Sequence, residues 1–424
     1  MASVPSRELD LNREMKHVLA LILAGGKGTR LRNLTHAQAK PAVPFGGKFR
    51  IVDFTLSNCV NSGIRRIGVL TQYRAHTLIQ HVQRGWGFLR AEFNEFIEVW
   101  PAQQQTESES WYSGTADAIY QNLDMIESHQ PDYVLILGGD HIYKQDYSQM
   151  LAEHIRKGAE ITVACIDVPK EDAKAFGVVE IDQDGVIQRF VEKSPDPPTI
   201  PGQPDRCLAS MGIYIFNINV LLVQLCRDAS EPDSDHDFGK NILPHCVSRM
   251  KVLAHNFTSS CISNRPGEEP YWRDVGTVDA YYDANMDLVS VTPQLDLYDE
   301  NWPIWTYQVQ RPGAKFVFDD NDRRGMAVDS VVSAGCIISG SVVRRSLLFT
   351  NVRVNSYCTI EDSIMLTGCD IGRGCRLKKV IVAPDCEVPD GLVVGEDSAE
   401  DERRFHRTPG GVVLIVPEDL AKLK

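Results

Sequence analysis

The sequence predicts two folds in succession, an α/β domain built on a mostly parallel sheet and then a parallel β-helix. Three observations support this prediction. The chain has 424 residues, which exceeds the size of one ordinary domain. In its N-terminal part, short apolar runs alternate with segments of helical periodicity. Near its C-terminus, apolar residues recur at every sixth position.

Composition argues against several classes of partner. The net charge of −13 and the pI near 5.4 leave no basic face for nucleic acid, although a few local cations would suffice for phosphate. We expect no signal peptide and no membrane partner, because no apolar run is long enough for either. The eleven dispersed cysteines contain no CxxC pair, which argues against zinc and predicts reduced thiols in a cytoplasmic protein.

The α/β domain is predicted over residues 17–289, after a flexible N-terminus at 1–16. The apolar run at 18–24 indicates a buried parallel strand, because it offers no polar face to solvent. Further strands are expected at 66–71, 133–137 and 161–166, with helices at 75–84 and 145–157. Such alternation is typical of a Rossmann-like sheet, whose ligands bind at the carboxyl ends of the strands.

The C-terminal region, predicted as 314–424, carries a six-residue repeat whose register slips by one residue at three points. Its repeat positions are Val331, Ile337, Val343, Phe349, Val354, Ile360, Leu366, Ile371, Leu377, Ala383, Val388 and Val394. This repeat predicts a left-handed parallel β-helix with a regulatory or oligomerisation role, and short sandwich strands are the alternative. The proline-punctuated stretch 290–313 is predicted to be a linker.

A glycine-rich segment, LILAGGKGTRLRNLT at 21–35, follows the first predicted strand. Gly25, Gly26 and Gly28 would let the backbone approach a triphosphate and turn its amides toward the phosphate oxygens. The spacing matches neither GxGxxG nor GxxxxGK[ST]. A tight structural turn is therefore an equally good explanation of the glycines alone.

The continuation of the chain favours the phosphate site over the turn. Lys40 precedes Pro41, and proline biases the preceding residue toward an extended backbone. We expect this geometry to aim the Lys40 ammonium back across the glycine loop. The loop and the lysine together predict a site for a nucleoside triphosphate.

Further motifs occur in order along the chain. They are WYSGTADAIYQN (111–122), GGDHIYKQDY (138–147), FGVV (176–179), FVEKSP (190–195), ASMGIY (209–214) and YWRDVGT (271–277). With the glycine loop and Lys40, they resemble the nucleoside-diphosphate-sugar pyrophosphorylase family, and more narrowly its bacterial branch that makes ADP-glucose. The resemblance implies adenylyl transfer from ATP to α-D-glucose 1-phosphate, which releases diphosphate and supplies the activated donor for glycogen synthesis.

The resemblance also implies roles for individual residues. Arg30 and Lys40 would offset charge on the triphosphate, and Asp140 and Asp274 would hold Mg²⁺ through carboxylate oxygens. For a lone aspartate at a strand end, a helix cap or turn is the alternative. The glucose 1-phosphate contacts implied are Tyr112, Gly177, Glu192, Lys193 and Ser210. The nucleotide contacts implied are Gly25, Gly26, Gly28, Thr29, Gln103, Gly114 and Thr115.

The chain departs from the family pattern just before Lys40. Enteric members carry basic residues there for a fructose 1,6-bisphosphate activator and an AMP inhibitor, whereas this chain has Ala37 and Gln38. A polyphosphorylated effector needs several Lys or Arg partners. We therefore expect no enteric-type control, and instead a smaller anionic effector, such as fructose 6-phosphate or pyruvate, at Lys48 and Arg50.

Three other functions compete with this interpretation. A pyrophosphorylase that makes UDP- or dTDP-sugars would share the loop and the fold. A non-catalytic regulatory subunit would be expected to lose Asp140 or Lys193, and this chain keeps both. Acyl transfer by the β-helix would need a general base, yet His406 is the only histidine after the linker and lies beyond the repeats. The family resemblance further implies a homotetramer.

Overall fold

A computed structural model describes residues 10–26, 28–36, 38–72, 74–102, 112–263, 267, 269–320 and 322–423. Gln103, predicted to contact the nucleotide, and Ala37 lie outside these described residues. Within the described ranges, no helix is long and apolar enough to cross a membrane.

The N-terminal region is built on a sheet in the order β10-β9-β11-β6-β1-β4-β5, with β8 and β12 attached through β11. Its strands, with two small pairs outside the sheet, are β1 (Val18–Leu23), β2 (Pro44–Phe45), β3 (Phe49–Arg50), β4 (Arg66–Thr71), β5 (Phe96–Pro101), β6 (Tyr133–Gly138), β7 (His141–Tyr143), β8 (Ile161–Pro169), β9 (Gly177–Ile181), β10 (Ile187–Glu192), β11 (Arg206–Asn217), β12 (Val252–Asn256) and β13 (Trp272–Asp274). Strand β1 is parallel to both β4 and β6, and β11 is antiparallel to its neighbours.

Helices cover both faces of this sheet. They are α1 (Leu11–Met15), α2 (Ile51–Asn61), α3 (His76–Gly85), α4 (Thr115–Tyr120), α5 (Leu123–Ser128), α6 (Tyr147–Lys157), α7 (Lys170–Ala173), α8 (Ile218–Ala229), α9 (Leu243–Val247) and α10 (Val278–Asp287). In α6 the local signals are clear: the Asp146 side chain accepts from the Ser148 amide, and Gly158 ends the helix in a left-handed conformation. The predicted strands and helices are confirmed to within a few residues.

Strand β1 shows why the apolar run at 18–24 has no polar face. Ala20 and Ile22 belong to one buried cluster of side chains, and Leu19 and Leu21 belong to another. Alternate residues of one strand thus pack into two separate cores, one on each face of the sheet. The predicted burial of both faces is confirmed.

The C-terminal region is a parallel β-helix with three sheets. Its strands and helices are β14 (Lys315–Val317), β15 (Asp319–Asp320), β16 (Arg323–Arg324), β17 (Met326–Val328), β18 (Val331–Val332), β19 (Ile337–Ser339), β20 (Val342–Arg344), β21 (Leu347–Leu348), β22 (Arg353–Val354), β23 (Thr359–Glu361), β24 (Ile364–Met365), β25 (Asp370–Ile371), β26 (Arg376–Lys378), β27 (Val380–Val382), β28 (Glu387–Val388), β29 (Val393–Val394), α11 (Ser398–Arg404), β30 (His406–Arg407), β31 (Val413–Ile415) and α12 (Pro417–Ala421). This architecture and the hexapeptide repeat are those of the predicted left-handed β-helix.

The register slips in the repeat follow from the length of one coil. Arg353 pairs with Asp370, and Asp370 pairs with Glu387, so a coil takes 17 residues. Two sides of the coil take six residues and the third takes five, which moves the apolar position by one residue per turn. In the first coil the predicted repeat position, Ile337, is wrong by one residue. The buried Ile338 is the residue that pairs with the interior Val354.

Five of the cysteines lie inside the β-helix, and all eleven in the chain are free thiols. The Cys358 thiol donates to the carbonyl of Gly372 at 2.9 Å, and the Cys375 thiol donates to that of Pro389 at 3.2 Å. Cys336 and Cys369 make the same kind of bond to the next coil. These buried thiols satisfy backbone carbonyls at the corners of the coils, a structural use that needs no metal.

The two regions share one hydrophobic core. In the sheet of β18, β21, β24 and β27, the last three strands are buried on both faces, and α10 packs against β24. The Tyr282 hydroxyl on α10 donates to the carbonyl of Asp362 at 2.5 Å. The β-helix is thus docked on the α/β region through α10.

The predicted linker at 290–313 has no regular secondary structure, yet it is tightly packed on α2. The Trp302 indole N–H donates to Asn58 Oδ1 at 3.0 Å, and the Trp305 amide donates to Ser57 Oγ at 2.8 Å. The Thr306 hydroxyl donates to the fully buried Asp53 at 2.7 Å. This stretch acts as a strap along the α/β region, which its composition did not indicate.

Candidate active site

A cleft of about 700 Å³ lies at the carboxyl edge of the central strands, and it gathers most of the predicted site residues. The predicted residues that line it are Gly25, Gly26, Arg30, Lys40, Tyr112, Gly114, Thr115, Asp140, Gly177, Glu192, Lys193, Ser210 and Asp274. Gly28 and Thr29 do not line it. The remaining predictions, Lys48 and Arg50, belong to a different cleft described below.

The glycine loop leaves the end of β1 and forms the floor of one side of this cleft. Gly28 has φ +59°, a left-handed backbone that favours glycine. A Cβ atom at Gly28 would lie 3.0 Å from Lys40 Cβ, so the two segments pack closely. The next residue, Thr29, begins the 3₁₀ helix Thr29–Thr35. Gly28 and Thr29 therefore shape the loop, whereas Gly25 and Gly26 face the cleft.

The backbone predicted for Lys40 is wrong. Lys40 begins a short 3₁₀ helix, Lys40–Ala42, in place of the extended conformation expected before Pro41. The Val43 amide donates to the Lys40 carbonyl at 3.1 Å, and this turn outweighs the steric bias of proline. The side chain nevertheless passes beside the loop and reaches the carboxylates on the other side.

Lys40 joins two aspartates that come from distant parts of the chain. Its ammonium lies 2.9 Å from Asp140 Oδ2 and 2.9 Å from Asp274 Oδ1. Asp140 follows the end of β6, and β13 carries Asp274 to a position opposite His141 on β7. The small antiparallel pair of β7 and β13 is what places the two carboxylates side by side.

The charges of this group stabilise one another. Burial acts to raise the pKa of Asp140, but His141 and Lys40 outweigh it and hold that pKa at about 2. Burial acts to lower the pKa of Lys40, and the two carboxylates outweigh it, so this pKa is raised. Both the Asp140 carboxylate and the Lys40 ammonium are therefore charged near neutral pH.

The same carboxylates fit a divalent cation. One ligand atom each of Asp140, His141 and Asp274 lies within 4.8 Å of the others. Carboxylate oxygens are the donors that Mg²⁺ prefers. The position of the Lys40 ammonium shows that the two carboxylates can accept a positive charge between them. Arg30 extends the group, with Nη2 at 3.8 Å from Asp274 Oδ2.

The opposite wall carries the residues predicted to bind the sugar phosphate. Lys193 follows β10 with φ +47°, and its amide donates to the Phe176 carbonyl at 3.0 Å. Its ammonium is largely exposed and lies 3.3 Å from Glu192 Oε1. Ser210 lies on β11 where the register breaks, and Gly177 begins β9 beside it. A cation and hydrogen-bonding groups thus face the cleft together.

The predicted nucleotide side is formed by the segment before α4. The Tyr112 hydroxyl accepts from Asn122 Nδ2 at 3.1 Å, and burial raises the pKa of this phenol. The Thr115 hydroxyl donates to Asp237 Oδ2 at 3.0 Å, which ties the segment to a loop that starts the opposite wall. Gly114 and Thr115 also face the cleft.

The structure adds residues that sequence reasoning missed. Tyr214, Asp237, Phe238 and Trp272 also line the cleft. The Trp272 indole N–H is buried without a partner, and its ring lies 4.9 Å from that of His141. The polar string DHDFGK at 235–240 was a signal for Asp237 and Phe238. Tyr214 and Trp272 lie within the motifs ASMGIY and YWRDVGT, but the sequence analysis gave neither residue a place in the site.

Lys48 and Arg50 lie apart from this cleft, in a second one of about 320 Å³ between the α/β region and the β-helix. Arg84 and Arg311 line the same cleft. The Arg50 guanidinium donates to the carbonyl of Ala42 and, at 3.3 Å, to Gln38 Oε1. Burial lowers the pKa of Arg50. The second cleft is therefore cationic, and one of its cations contacts the turn that carries Lys40.

Comparison with known proteins gives matches over the whole chain. A family model described as nucleotidyl transferase matches residues 19–291, and one described as the GlmU-like C-terminal hexapeptide matches residues 312–415. A glucose-1-phosphate adenylyltransferase of Rhodospirillum rubrum is 61% identical over 423 residues, which cover 100% of both chains. The enzyme of that name from Paramagnetospirillum magneticum is 60% identical, over 98% of this chain and 97% of its own. That from Nitrosospira multiformis is also 60% identical, over 96% and 95%.

Proposed function

This chain belongs to the nucleotidyl transferase family and, within it, to the glucose-1-phosphate adenylyltransferases, and on that premise we propose how its cleft makes ADP-glucose. The reaction joins ATP and α-D-glucose 1-phosphate and releases diphosphate. An oxygen of the sugar phosphate attacks the α-phosphorus, and the bond from that phosphorus to the departing diphosphate breaks. The proposal rests above all on the position of Lys40, which joins Asp140 and Asp274 beside the glycine loop.

Catalysis of this kind depends on position and charge more than on covalent chemistry. Gly25 and Gly26 line the cleft where the phosphates of ATP would lie, and Lys40 and the exposed Arg30 would supply positive charge to those phosphates. Asp140 and Asp274 would hold Mg²⁺, which neutralises negative charge on phosphate oxygens. Because Asp140 remains ionised at neutral pH, it needs no proton transfer before it can do so.

The second substrate would lie against the opposite wall. Lys193 is available to bind its phosphate, since among the described residues its ammonium pairs only with the adjacent Glu192, and most of its side chain is exposed. Glu192 and Ser210 would accept and donate hydrogen bonds to sugar hydroxyls, and a fixed acceptor of this kind discriminates between sugars. The Asp237 carboxylate, which sequence reasoning missed, lies on the same wall.

One experiment tests this proposal directly. Steady-state synthesis of ADP-glucose is measured with ATP, glucose 1-phosphate and Mg²⁺, for the wild type and for Asp140→Asn. We expect kcat/KM of the variant to fall by about a thousandfold, because a neutral amide replaces the carboxylate that holds the cation. Asp205→Asn, which changes an exposed carboxylate away from the cleft, is the matched control. Full activity of Asp140→Asn would refute the proposed role.

The nucleotide is tested in the same assay. UTP and dTTP replace ATP with glucose 1-phosphate held constant, and we expect ADP-glucose synthesis to be favoured. Preferred use of UTP or dTTP would support the alternative pyrophosphorylase. Wild-type chain that makes no nucleotide sugar would support the non-catalytic subunit.

Regulation and assembly are also part of the proposal. We propose that Lys48 and Arg50 bind a small anionic effector in the second cleft, because Arg84 and Arg311 line it too. A panel of phosphorylated sugars and carboxylates in the assay tests this, and strong activation by fructose 1,6-bisphosphate would contradict the expected smaller effector. We further propose a cytoplasmic homotetramer, for which the free thiols and the flat β-helix sides are the support. Light scattering tests the assembly.

A further inference from the structure

We infer that His236, braced by the buried Asp228, is a positioning residue that joins the nucleotide-side wall of the cleft to its sugar-side wall. The inference rests on the proposed function, since it assigns the two walls to the two substrates. His236 is not among the residues that line the cleft, so its effect must pass through its neighbours. It lies in the loop between α8 and the helical turn Phe238–Ile242.

The brace is a closed set of hydrogen bonds. Asp228, near the end of α8, is only 3% exposed. Its Oδ2 accepts from His236 Nδ1 at 2.9 Å, and its Oδ1 accepts from the Ser234 hydroxyl at 2.8 Å. The Ser234 oxygen in turn accepts from the His236 amide at 3.0 Å. The side chain and the backbone of His236 are therefore both tied to one buried carboxylate.

His236 needs such a brace because of its backbone. Its φ is +50°, in the left-handed region that residues with a Cβ atom rarely adopt. A loop residue held there without support would relax to a commoner conformation. The bonds to Asp228 and Ser234 oppose that relaxation, and the carbonyl of His236 keeps the direction that the strained backbone gives it.

That carbonyl holds the nucleotide-side wall. It accepts from the amide of Ala116 at 2.8 Å and from the amide of Asp117 at 3.4 Å, and so it caps the start of α4. The approach is so close that a Cβ on Gly114 would lie 2.2 Å from the same oxygen. This contact explains why glycine is required at position 114, and it places Gly114 and Thr115 at the edge of the cleft.

The residue after His236 holds the sugar-side wall. Asp237 Oδ2 accepts from the Thr115 hydroxyl at 3.0 Å, and Asp237 Oδ1 accepts from the Gly239 amide at 2.9 Å. Gly239 in turn lies against the Glu192 carboxylate. A change in the backbone of His236 would therefore move Asp237 and Thr115 together, and with them the spacing between the two walls.

A merely structural role is the alternative, and the chain contains a matched example. His255 on β12 bonds through Nδ1 to Glu153 at 2.5 Å and through Nε2 to Ser260 at 2.8 Å. This pair also joins a histidine to a carboxylate, although here the histidine is the buried partner and the Glu153 side chain is 25% exposed. It lies outside the cleft, on a strand paired with β8. His255→Ala thus removes similar bonds without touching either wall.

The experiment compares His236→Ala with His255→Ala in the full chain. Because loss of the brace lowers the fraction of chains whose walls are correctly spaced, we expect His236→Ala to raise KM for both substrates about tenfold. The value of kcat should change less than KM, since the reacting groups remain present. His255→Ala should lower the melting temperature by a similar amount and leave both KM values unchanged. Binding of ATP and of glucose 1-phosphate, measured separately at equilibrium, gives the same comparison without turnover.

Two further variants sharpen the test. Asparagine tolerates the left-handed backbone and keeps a side-chain donor, so His236→Asn should return both KM values to within about threefold of the wild type. Adding Asp228→Ala to His236→Ala should cause little extra loss, because the two residues act as a unit.

Unchanged KM values in His236→Ala, or a change confined to one substrate, would overturn the inference. Failure of the proposed function would look different, because the wild type itself would then form no ADP-glucose. In that case the equilibrium binding measurements still decide whether His236 sets the affinity for the two ligands.

Discussion

The β-helix and the α/β region both contain residues with left-handed backbone, but for different reasons. In the β-helix these residues recur at equivalent corners of successive coils, as in Arg345, Asp362 and Lys379, each 17 residues from the next. In the α/β region such residues follow no period; among them, Lys193 lines the cleft and His236 lies directly before Asp237, which also lines it. Left-handed residues at a regular spacing reflect the architecture of the β-helix, because equivalent corners need the same turn. Isolated strain that is held by buried partners points to function.

The comparison implies that substitutions in the two regions should affect different measurements. Changes inside the β-helix should lower stability and leave the substrate constants alone. Changes at the walls of the cleft should alter substrate constants, whether or not they also lower stability. The predictions below test that separation, from the largest expected effect to the smallest.

The largest effect is expected from Leu377→Ala, which empties an interior position of the β-helix that is 1% exposed. We expect the free energy of unfolding to fall by about 3 kcal/mol, through lost burial and the cavity left behind. Urea unfolding measures it, and the KM values at 25 °C should not change. Lys378→Ala, one residue along the strand and pointing outward, is the control. An equal loss in both variants would contradict the assignment of the interior face.

Lys193→Gln should have the largest effect on a substrate constant. The substitution removes the cation proposed to hold the sugar phosphate, so we expect KM for glucose 1-phosphate to rise about 100-fold. KM for ATP should change far less, and the melting temperature should stay the same. Lys174→Gln serves as the control, because Lys174 pairs with Glu171 on the surface. If both KM values rose together, Lys193 would not be specific to the sugar phosphate.

A pH effect should distinguish Asp140 from ordinary surface carboxylates. Its pKa is lowered from 3.8 to about 2 in the folded chain, so its stabilising contribution is present above pH 4 and is lost as the pH falls toward 2. In Asp140→Asn the free energy of unfolding should therefore vary less between pH 4 and pH 2 than in the wild type. Denaturant unfolding at several pH values measures this. An identical pH dependence of the two proteins would contradict the lowered pKa.

The smallest effect is expected at a corner of the β-helix. Lys379 has φ +54°, so Lys379→Val should cost about 1–2 kcal/mol because valine tolerates this backbone poorly. Lys379→Gly should remain within about 0.5 kcal/mol of the wild type, since glycine adopts positive φ readily. Thermal unfolding measures both variants. Equal stabilities of the valine and glycine variants would show that the corner relaxes.

Much of the molecule could be predicted because its signals are local. The apolar run of β1, the six-residue repeat and the glycine loop each depend on residues that are close in sequence. Their period and composition therefore predicted buried strands, coils and a phosphate site. The motifs around Asp140, Lys193 and Asp274 followed by resemblance, and the structure places these residues in one cleft.

The missed features depend on contacts between distant segments. The 3₁₀ turn of Lys40, the docking of the strap at 290–313 on α2 and the partner of Ile338 in the next coil are all fixed by packing. The joining of Gly114 to His236 spans more than a hundred residues. No local pattern specifies this contact. The His236 carbonyl oxygen and the space beside Gly114 are brought together only by folding.

The sequence by itself therefore determined the two folds, the glycine loop and the identity of the charged residues, because periodicity and residue type act over short stretches of chain. Only the tertiary structure decided how those charges are arranged. Lys40 lies between Asp140 and Asp274 because folding brings β6 and β13 together, and the His236 carbonyl caps α4 because folding brings the loop after α8 to that helix. Hydrogen bonds form only at about 3 Å and charge pairs weaken with distance, so these arrangements exist only once the folded core has fixed the distances.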